Sequence, residues 1–271
     1  MEKMIPSQLA TLGHPHRLAV WRLLMRRFPD AVPAGEIAEA TGLKNSTLSV
    51  YLSALKDSAL IDKERQGTSI RYRAAIGSAT TMLDYLFADC CRSRPELCMT
   101  LPSTSSRPLN VLFICTGNSA RSLFAEALLR DMGAGRFRAF SAGTHPADAP
   151  NPLTLQMLAD KGHATGDLRS KSIDEFAAER APVMDFVFTV CDQAANEDCP
   201  AWPGQPISAH WGQPDPVRVT GTQAERMLAF QAAYGGLRNR VASFVALPFD
   251  ALDRASLQRR VDAIAQNEET A

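Results

Sequence analysis

Two rhythms divide this chain. In the first hundred residues, apolar positions recur three and four apart in short blocks: Leu18, Trp21 and Leu24 or Met25 after Pro15, then 34–40, then Leu48, Leu52 and Leu55. That spacing predicts amphipathic helices. The first stops at Phe28-Pro29 and the second at Thr41-Gly42-Leu43, where the glycine suits a left-handed turn. The third opens at Asn45 or Ser46, both good caps, and runs to about residue 58. Residues 61–74 then alternate about Gln66-Gly67, which predicts a hairpin. Past residue 108, apolar runs at 109–114, 137–141 and 185–190 alternate with helical stretches at 120–132, 152–161 and 222–246. Strand and helix in that order predict an α/β domain with a parallel sheet, helices on both faces and functional loops at the strands' C-terminal ends. Between the rhythms lies Thr100-Leu-Pro-Ser-Thr-Ser-Ser-Arg-Pro108, rich in Pro and Ser and without periodicity. The expected organisation is multidomain, with domains at 1–99 and 109–271 and a linker at 100–108.

Composition narrows the classes. At 271 residues, 45% hydrophobic and 21% charged, the chain has room for two folded cores and is not a disordered one. No apolar run approaches the ~20 residues that span a bilayer. The start, Met-Glu-Lys-Met-Ile-Pro, lacks the cationic-then-apolar pattern of a signal peptide, so no membrane partner and a cytoplasmic location are expected. The balance of 29 Lys+Arg and 29 Asp+Glu hides a division: residues 1–100 carry 13 against 10, the remainder 16 against 19. The basic front permits nucleic-acid contact. Six cysteines in such a protein suggest reactive or metal-binding thiols, three before the linker (Cys90, Cys91, Cys98) and three after it (Cys115, Cys191, Cys199).

The strongest chemical signal is Cys115-Thr-Gly-Asn-Ser-Ala-Arg121-Ser122, entered from a strand and left by a helix. The N–H groups of Thr116, Gly117, Asn118, Ser119 and Ala120 can curl around a tetrahedral oxyanion, and the helix dipole favours the same negative charge. Arg121 adds a planar two-donor fork, and Ser122 a hydroxyl. The same field is expected to lower the Cys115 pKa and make it the nucleophile. Asp215, held between prolines in Gln-Pro-Asp-Pro216, suits a general acid. Cys191 directly follows the apolar run 185–190, and the strand-end argument places it within reach of Cys115.

In the front half, a helix, a glycine turn and a second helix with Ser46, Thr47, Ser49, Ser53 and Lys56 outward form a helix-turn-helix pattern. The hairpin, with Lys63, Arg65, Arg71 and Arg73, would lie along phosphates as a wing. Leu9-Ala-Thr-Leu-Gly-His-Pro-His-Arg-Leu18, Gly42-Leu-Lys-Asn-Ser-Thr-Leu-Ser-Val-Tyr-Leu52 and Arg71-Tyr-Arg73 together resemble the arsenical-repressor (ArsR/SmtB) family of winged-helix regulators. The resemblance implies operator DNA as a partner, read through Asn45, Ser46, Thr47, Ser49, Lys56, Arg65 and Arg71. It also implies a homodimer formed through this domain, with 79–88 in the dimerising helix. Cys90, Cys91 and Cys98, with Pro95 turning the chain between them, offer three soft thiolates, the set that trivalent arsenic or antimony prefers. Arsenite is the inducer this implies.

The rear half resembles the low-molecular-weight phosphatase fold, and its arsenate reductase branch. The residues are Cys115–Ser122, Phe124-Ala-Glu126, Ser141-Ala-Gly143, Cys191 with Cys199-Pro200, and His210-Trp-Gly-Gln-Pro-Asp-Pro216. This implies a three-thiol relay, Cys115 to Cys191 to Cys199, converting arsenate to arsenite with no tightly bound cofactor and an external thiol reductant, thioredoxin or glutaredoxin. Asn118, Glu126 and Ser141 match a potassium site of some relatives. Ala120 stands where some reductases have a further cysteine, and the Cys191–Cys199 spacing is one residue longer than in thioredoxin-coupled relatives. Val217 follows the Asp-Pro pair where true phosphatases of this fold carry tyrosines. Two other readings stay open: a protein tyrosine phosphatase fused to a DNA-binding regulator, and a regulator whose rear domain only senses an oxyanion.

Overall fold

The structure, a computed structural model, describes residues 4–91, 107–178, 180–197 and 202–266. The chain divides into two compact units, Met1–Leu101 and Pro102–Ala271.

The first unit opens with α1 (Met4–Leu12), α2 (Pro15–Arg26), the short strand β1 (Val32–Pro33), α3 (Ala34–Thr41) and α4 (Asn45–Asp57). It continues with β2 (Ile61–Gln66), β3 (Ser69–Ala74) and α5 (Ile76–Tyr85). Neither α1 nor β1 has a readable apolar stripe. Helix α1 buries Ile5, Gln8 and Thr11, two of them polar and hydrogen-bonded to Ser78 and Ser58. Strand β1 is two residues long and pairs with β3. The inner face of α2 is Val20, Leu23 and Leu24, while Leu18, expected inside, is turned out. Leu48, Leu52 and Leu55 are buried as their spacing requires. Gly42 closes α3 at φ +66°, and Lys44 rather than Asn45 or Ser46 is the N-cap of α4, with no side-chain cap bond. The hairpin pairs Ile61 with Ala74 and Gln66 with Ser69, with Gly67 in the turn at φ +61°. Helix α5 passes into a π-helical turn, Leu86–Cys90, and the two together contain residues 79–88.

The second unit carries β4 (Leu109–Cys115), α6 (Arg121–Met132), β5 (Phe137–Gly143), α7 (Pro152–Asp160), α8 (Asp174–Ala177) and β6 (Phe186–Thr189). After these come α9 (Asp192–Asn196), β7 (Ile207–His210), α10 (Gln223–Val245) and α11 (Arg254–Gln266). All strand pairs are parallel, in the order β5-β4-β6-β7. The sheet's aromatic core includes Phe188 stacked on Trp211 at 4.0 Å between centroids. The four-residue β7 and the α11 stripe Leu257, Val261 and Ile264 extend the predicted pattern. A capping box, Thr222 with Glu225, starts α10 where the sequence predicted. No helix among the described residues is long and apolar enough to cross a membrane.

Helix α11 carries a pH-sensitive site. Burial pushes the Asp262 carboxyl up to about 6, against the pull of the Gln258 amide. Below the ordinary carboxyl value both folded and unfolded states hold the proton. As pH rises toward 6 the unfolded state ionises first, so stability falls and the loss is complete above 6. Asp262→Asn is therefore expected to stabilise the protein at pH 7.5 by ~1 kcal/mol after discounting for solvent screening, and to change little at pH 4. Denaturant unfolding at the two pH values measures this.

Candidate active site

Strand β4 delivers Cys115 to the centre of the sheet edge, and α6 begins six residues later at Arg121. The intervening loop is shaped from outside. The carbonyls of Cys115, Thr116, Gly117 and Ser119 accept hydrogen bonds from the N–H groups of Thr144, His145, Ala147 and Asn151, at 2.8–3.1 Å. A planar peptide points its C=O and the next N–H in opposite directions, so outward carbonyls turn the N–H groups of residues 116, 117, 118 and 120 inward. The Asn118 N–H indeed lies 3.1 Å from Cys115 Sγ. This wrapping requires Gly143: a Cβ there would come within 2.6 Å of the Thr116 carbonyl oxygen.

Cys115, Thr116, Gly117, Ser119, Ala120 and Arg121 line a cavity of about 230 Å³. Arg121 is nearly buried, donates to the Gln213 carbonyl at 3.0 Å and pairs with Asp215 at 2.8 Å. Asp215 also accepts from the Val217 N–H at 3.1 Å and faces the Arg218 guanidinium at 3.6 Å. The carboxylate proposed from sequence as a general acid is thus Arg121's partner at the cavity wall. Asn118 and Ser122 are wholly buried, and the Ser122 hydroxyl lies 3.0 Å from Cys115 Sγ.

One expectation is reversed. The Cys115 thiol is pushed up, not down: burial and the neighbouring Cys191 outweigh the opposing pull of Ser122 and Arg121. The favourable donors and charge are legible from the sequence, but the removal of water from a fully enclosed sulfur is not.

Cys191 is buried beside the loop, its Sγ 3.4 Å from the Thr116 hydroxyl and 3.5 Å from the Ala194 N–H. The turn carrying it is pinned by the buried His210, which bonds Thr189 at 2.8 Å through Nδ1 and Asp192 at 3.1 Å through Nε2. Gly212 leaves room for that pair, since a Cβ would lie 2.7 Å from both partners. Cys199 lies outside the described residues.

The expected potassium ligands do converge, but on a cation the protein supplies. Ser141 donates to Glu126 Oε2 at 2.5 Å, and the same oxygen takes the Lys171 ammonium at 3.1 Å. Asn118 Oδ1 is already engaged by the Lys171 N–H at 2.7 Å. These donors as arranged do not fit a potassium ion. Sequence reasoning missed Lys171, because nothing in Arg169-Ser-Lys-Ser172 distinguishes a buried lysine from a solvated one.

In the first unit, Asn45, Ser46, Ser49 and Lys56 are exposed on α4 and Thr47 partly so. Arg65 is exposed on β2, while Arg71 on β3 is partly engaged by the Ala31 carbonyl at 3.4 Å. Cys90 and Cys91 are free thiols, exposed and half-exposed respectively; Cys98 lies outside the described residues.

Residues 110–255 match the family described as low molecular weight phosphotyrosine protein phosphatase. The chain belongs to this family. Similar proteins include the arsenate reductase of Bacillus subtilis, 33% identical over 134 residues that make up 49% of this chain and 93% of the relative. The arsenate reductase of Shouchella clausii matches with the same identity and coverage. A crystal structure of the arsenate reductase from Archaeoglobus fulgidus is 26% identical, with a TM-score of 0.41, covering 51% of this chain and 99% of that one.

Proposed function

We propose that the second unit is an arsenate reductase working by a thiol relay. The observation that carries the reading is the second buried thiol, Cys191, seated against the loop that holds Cys115. Phosphate ester hydrolysis on this scaffold needs a nucleophile, an arginine and a carboxyl group. A redox reaction needs a second thiol within reach. The curated relatives' name supports the same choice.

Arsenate enters the cavity against the inward N–H groups and Arg121, competing with Asp215 for the guanidinium. Displaced from that ion pair, Asp215 carries the Cys115 proton to the departing oxygen. The balanced first step joins the thiol to the hydrogen arsenate dianion through a new sulfur–arsenic bond. It releases one water and leaves both negative charges on the adduct. The raised thiol keeps Cys115 protonated until the oxyanion arrives, so its proton is available for that water. Cys191 then attacks the Cys115 sulfur. The S–As electron pair passes to arsenic, which also receives the Cys191 proton and two more from solvent on its oxygens. Neutral arsenous acid, the protonated form of arsenite, leaves behind a Cys115–Cys191 disulfide. Cys199 attacks Cys191, returning the Cys115 thiol, and an external dithiol, thioredoxin or glutaredoxin, reduces the Cys191–Cys199 disulfide. Phosphate fits the same cradle but has no two-electron exit. Turnover of arsenate by the purified chain with either reductant system tests the proposal.

For the first unit, the reading is a winged helix that binds operator DNA as a homodimer and releases it on arsenite binding to Cys90, Cys91 and Cys98. The supporting observations are the glycine-closed turn between α3 and α4, the small polar face of α4 and the cationic hairpin. Fluorescence anisotropy on operator DNA is expected to give a log–log salt slope steepened by ~0.9 for each phosphate neutralised. Arg65→Ala should weaken all sequences alike, and Ser49→Ala should change sequence preference. A salt-independent affinity would contradict the phosphate contacts.

A further inference from the structure

A chain of hydrogen bonds runs from the floor of the oxyanion loop to a buried ammonium. Asn118 sits at its centre with φ +44°, a left-handed conformation that asparagine adopts more readily than most residues other than glycine. Its amide donates to Ser122 Oγ and to Ser141 Oγ, both at 2.8 Å, and its backbone carbonyl accepts from the Ser170 hydroxyl at 3.0 Å. Ser122 touches the nucleophile, and Ser141 hands the chain on to Glu126. Glu126 is nearly enclosed, with 14% of its side chain exposed, and its countercharge is Lys171, 9% exposed. The ammonium is also held by the Arg169 carbonyl at 3.2 Å. Each link is a donor–acceptor pair whose direction is set by the charge at its far end: the ammonium fixes Glu126 as an acceptor, which makes Ser141 donate to it and accept from Asn118.

We infer that Lys171 is a positioning residue, a built-in monovalent cation that orients the Asn118 hub of the loop and makes this enzyme independent of potassium. Without the ammonium, Glu126 is left as an enclosed carboxylate, with the Ser141 hydroxyl and the Arg169 carbonyl beside it. That oxygen set attracts an alkali cation, so the dependence absent from the parental protein is created by deleting one side chain.

The inference rests on reading Cys115 as the nucleophile of the oxyanion loop, and the test separates the two. The full chain and Lys171→Met are melted in potassium chloride and in choline chloride of equal ionic strength, and arsenate turnover is measured in both. The parental protein should give the same melting temperature and rate in either salt. Lys171→Met should melt lower in choline and recover in potassium, with a rate loss of between tenfold and about a hundredfold in choline that potassium reverses. Glu126→Gln/Lys171→Met, which removes both charges, should lose the potassium response. If Lys171→Met is too unstable to purify, the salt comparison on the parental protein still decides. A parental protein stabilised by potassium over choline, or a Lys171→Met protein indifferent to potassium, would overturn the inference. A protein inactive on arsenate but showing the expected melting pattern would refute the reductase reading and leave the cation role standing.

Discussion

Cys115→Ser is expected to abolish both arsenate reduction and aryl phosphate hydrolysis, whereas Cys191→Ser abolishes only the former. In the proposed mechanism the two reactions share their first half: attack by the Cys115 sulfur on an oxyanion held in the cavity that the loop and Arg121 line. An aryl phosphate then needs only water to finish, so Cys191 has no part in it. Arsenate needs a second sulfur to take the thiol back and leave two electrons on arsenic. Removing the nucleophile should cost at least about 10⁴ in rate on either substrate, the scale seen when a covalent catalyst is deleted. Cys191→Ser should leave aryl phosphate hydrolysis near the parental rate, because the side chains are nearly isosteric and Ser keeps a hydroxyl beside Thr116 where the thiol sat. Steady-state assays on both substrates measure the split. Parental arsenate turnover by Cys191→Ser would rule out the relay.

Arg121→Lys should be nearly as damaging as it looks conservative. The guanidinium reaches the Gln213 carbonyl with one nitrogen and Asp215 with another, so it braces the loop that carries Asp215, and in the proposed mechanism it also grips the oxyanion. An ammonium keeps the charge but has no planar pair of donors, and cannot satisfy both partners and the substrate. A loss of about 10²–10³ in kcat/KM is expected, the scale of deleting one donor from an oxyanion site. The loss should fall on kcat as well as KM, since the fork grips the oxyanion most tightly as charge builds on the departing oxygen. A change confined to KM would mean that Arg121 only gathers substrate.

The parts of this site that were legible in the sequence were those made by local order. A strand, a Cys-to-Arg loop and a helix specify the cradle almost by themselves, and the parallel sheet brings Cys191 beside it. What stayed hidden depends on tertiary neighbours. Lys171 acts on the loop from a distant point of the chain without a local signature, and Gly143, though part of the Ser141-Ala-Gly143 motif, shows its clearance of the Thr116 carbonyl only once the strands are packed. The thiol's direction of shift was missed because burial is set by what packs over Cys115, which its flanking residues do not reveal. In the first unit, α1 was unreadable because its inner face uses Gln8 and Thr11 in hydrogen bonds instead of an apolar stripe. Strand β7 was missed because four residues, Ile207–His210, give alternation too little length to register.

The relay is tested most directly by a single turnover. Fully reduced protein is mixed with excess arsenate in the absence of any external reductant, then acid-quenched, and arsenite, free thiols and disulfide pairing are determined. The relay predicts one arsenite released per chain, two thiols lost, and a disulfide joining Cys191 to Cys199 with Cys115 again free. In Cys199→Ser the same reaction should stop at a Cys115–Cys191 disulfide. Arsenite formed without loss of Cys191, or no arsenite and a full complement of thiols from a protein that still hydrolyses an aryl phosphate, would contradict it.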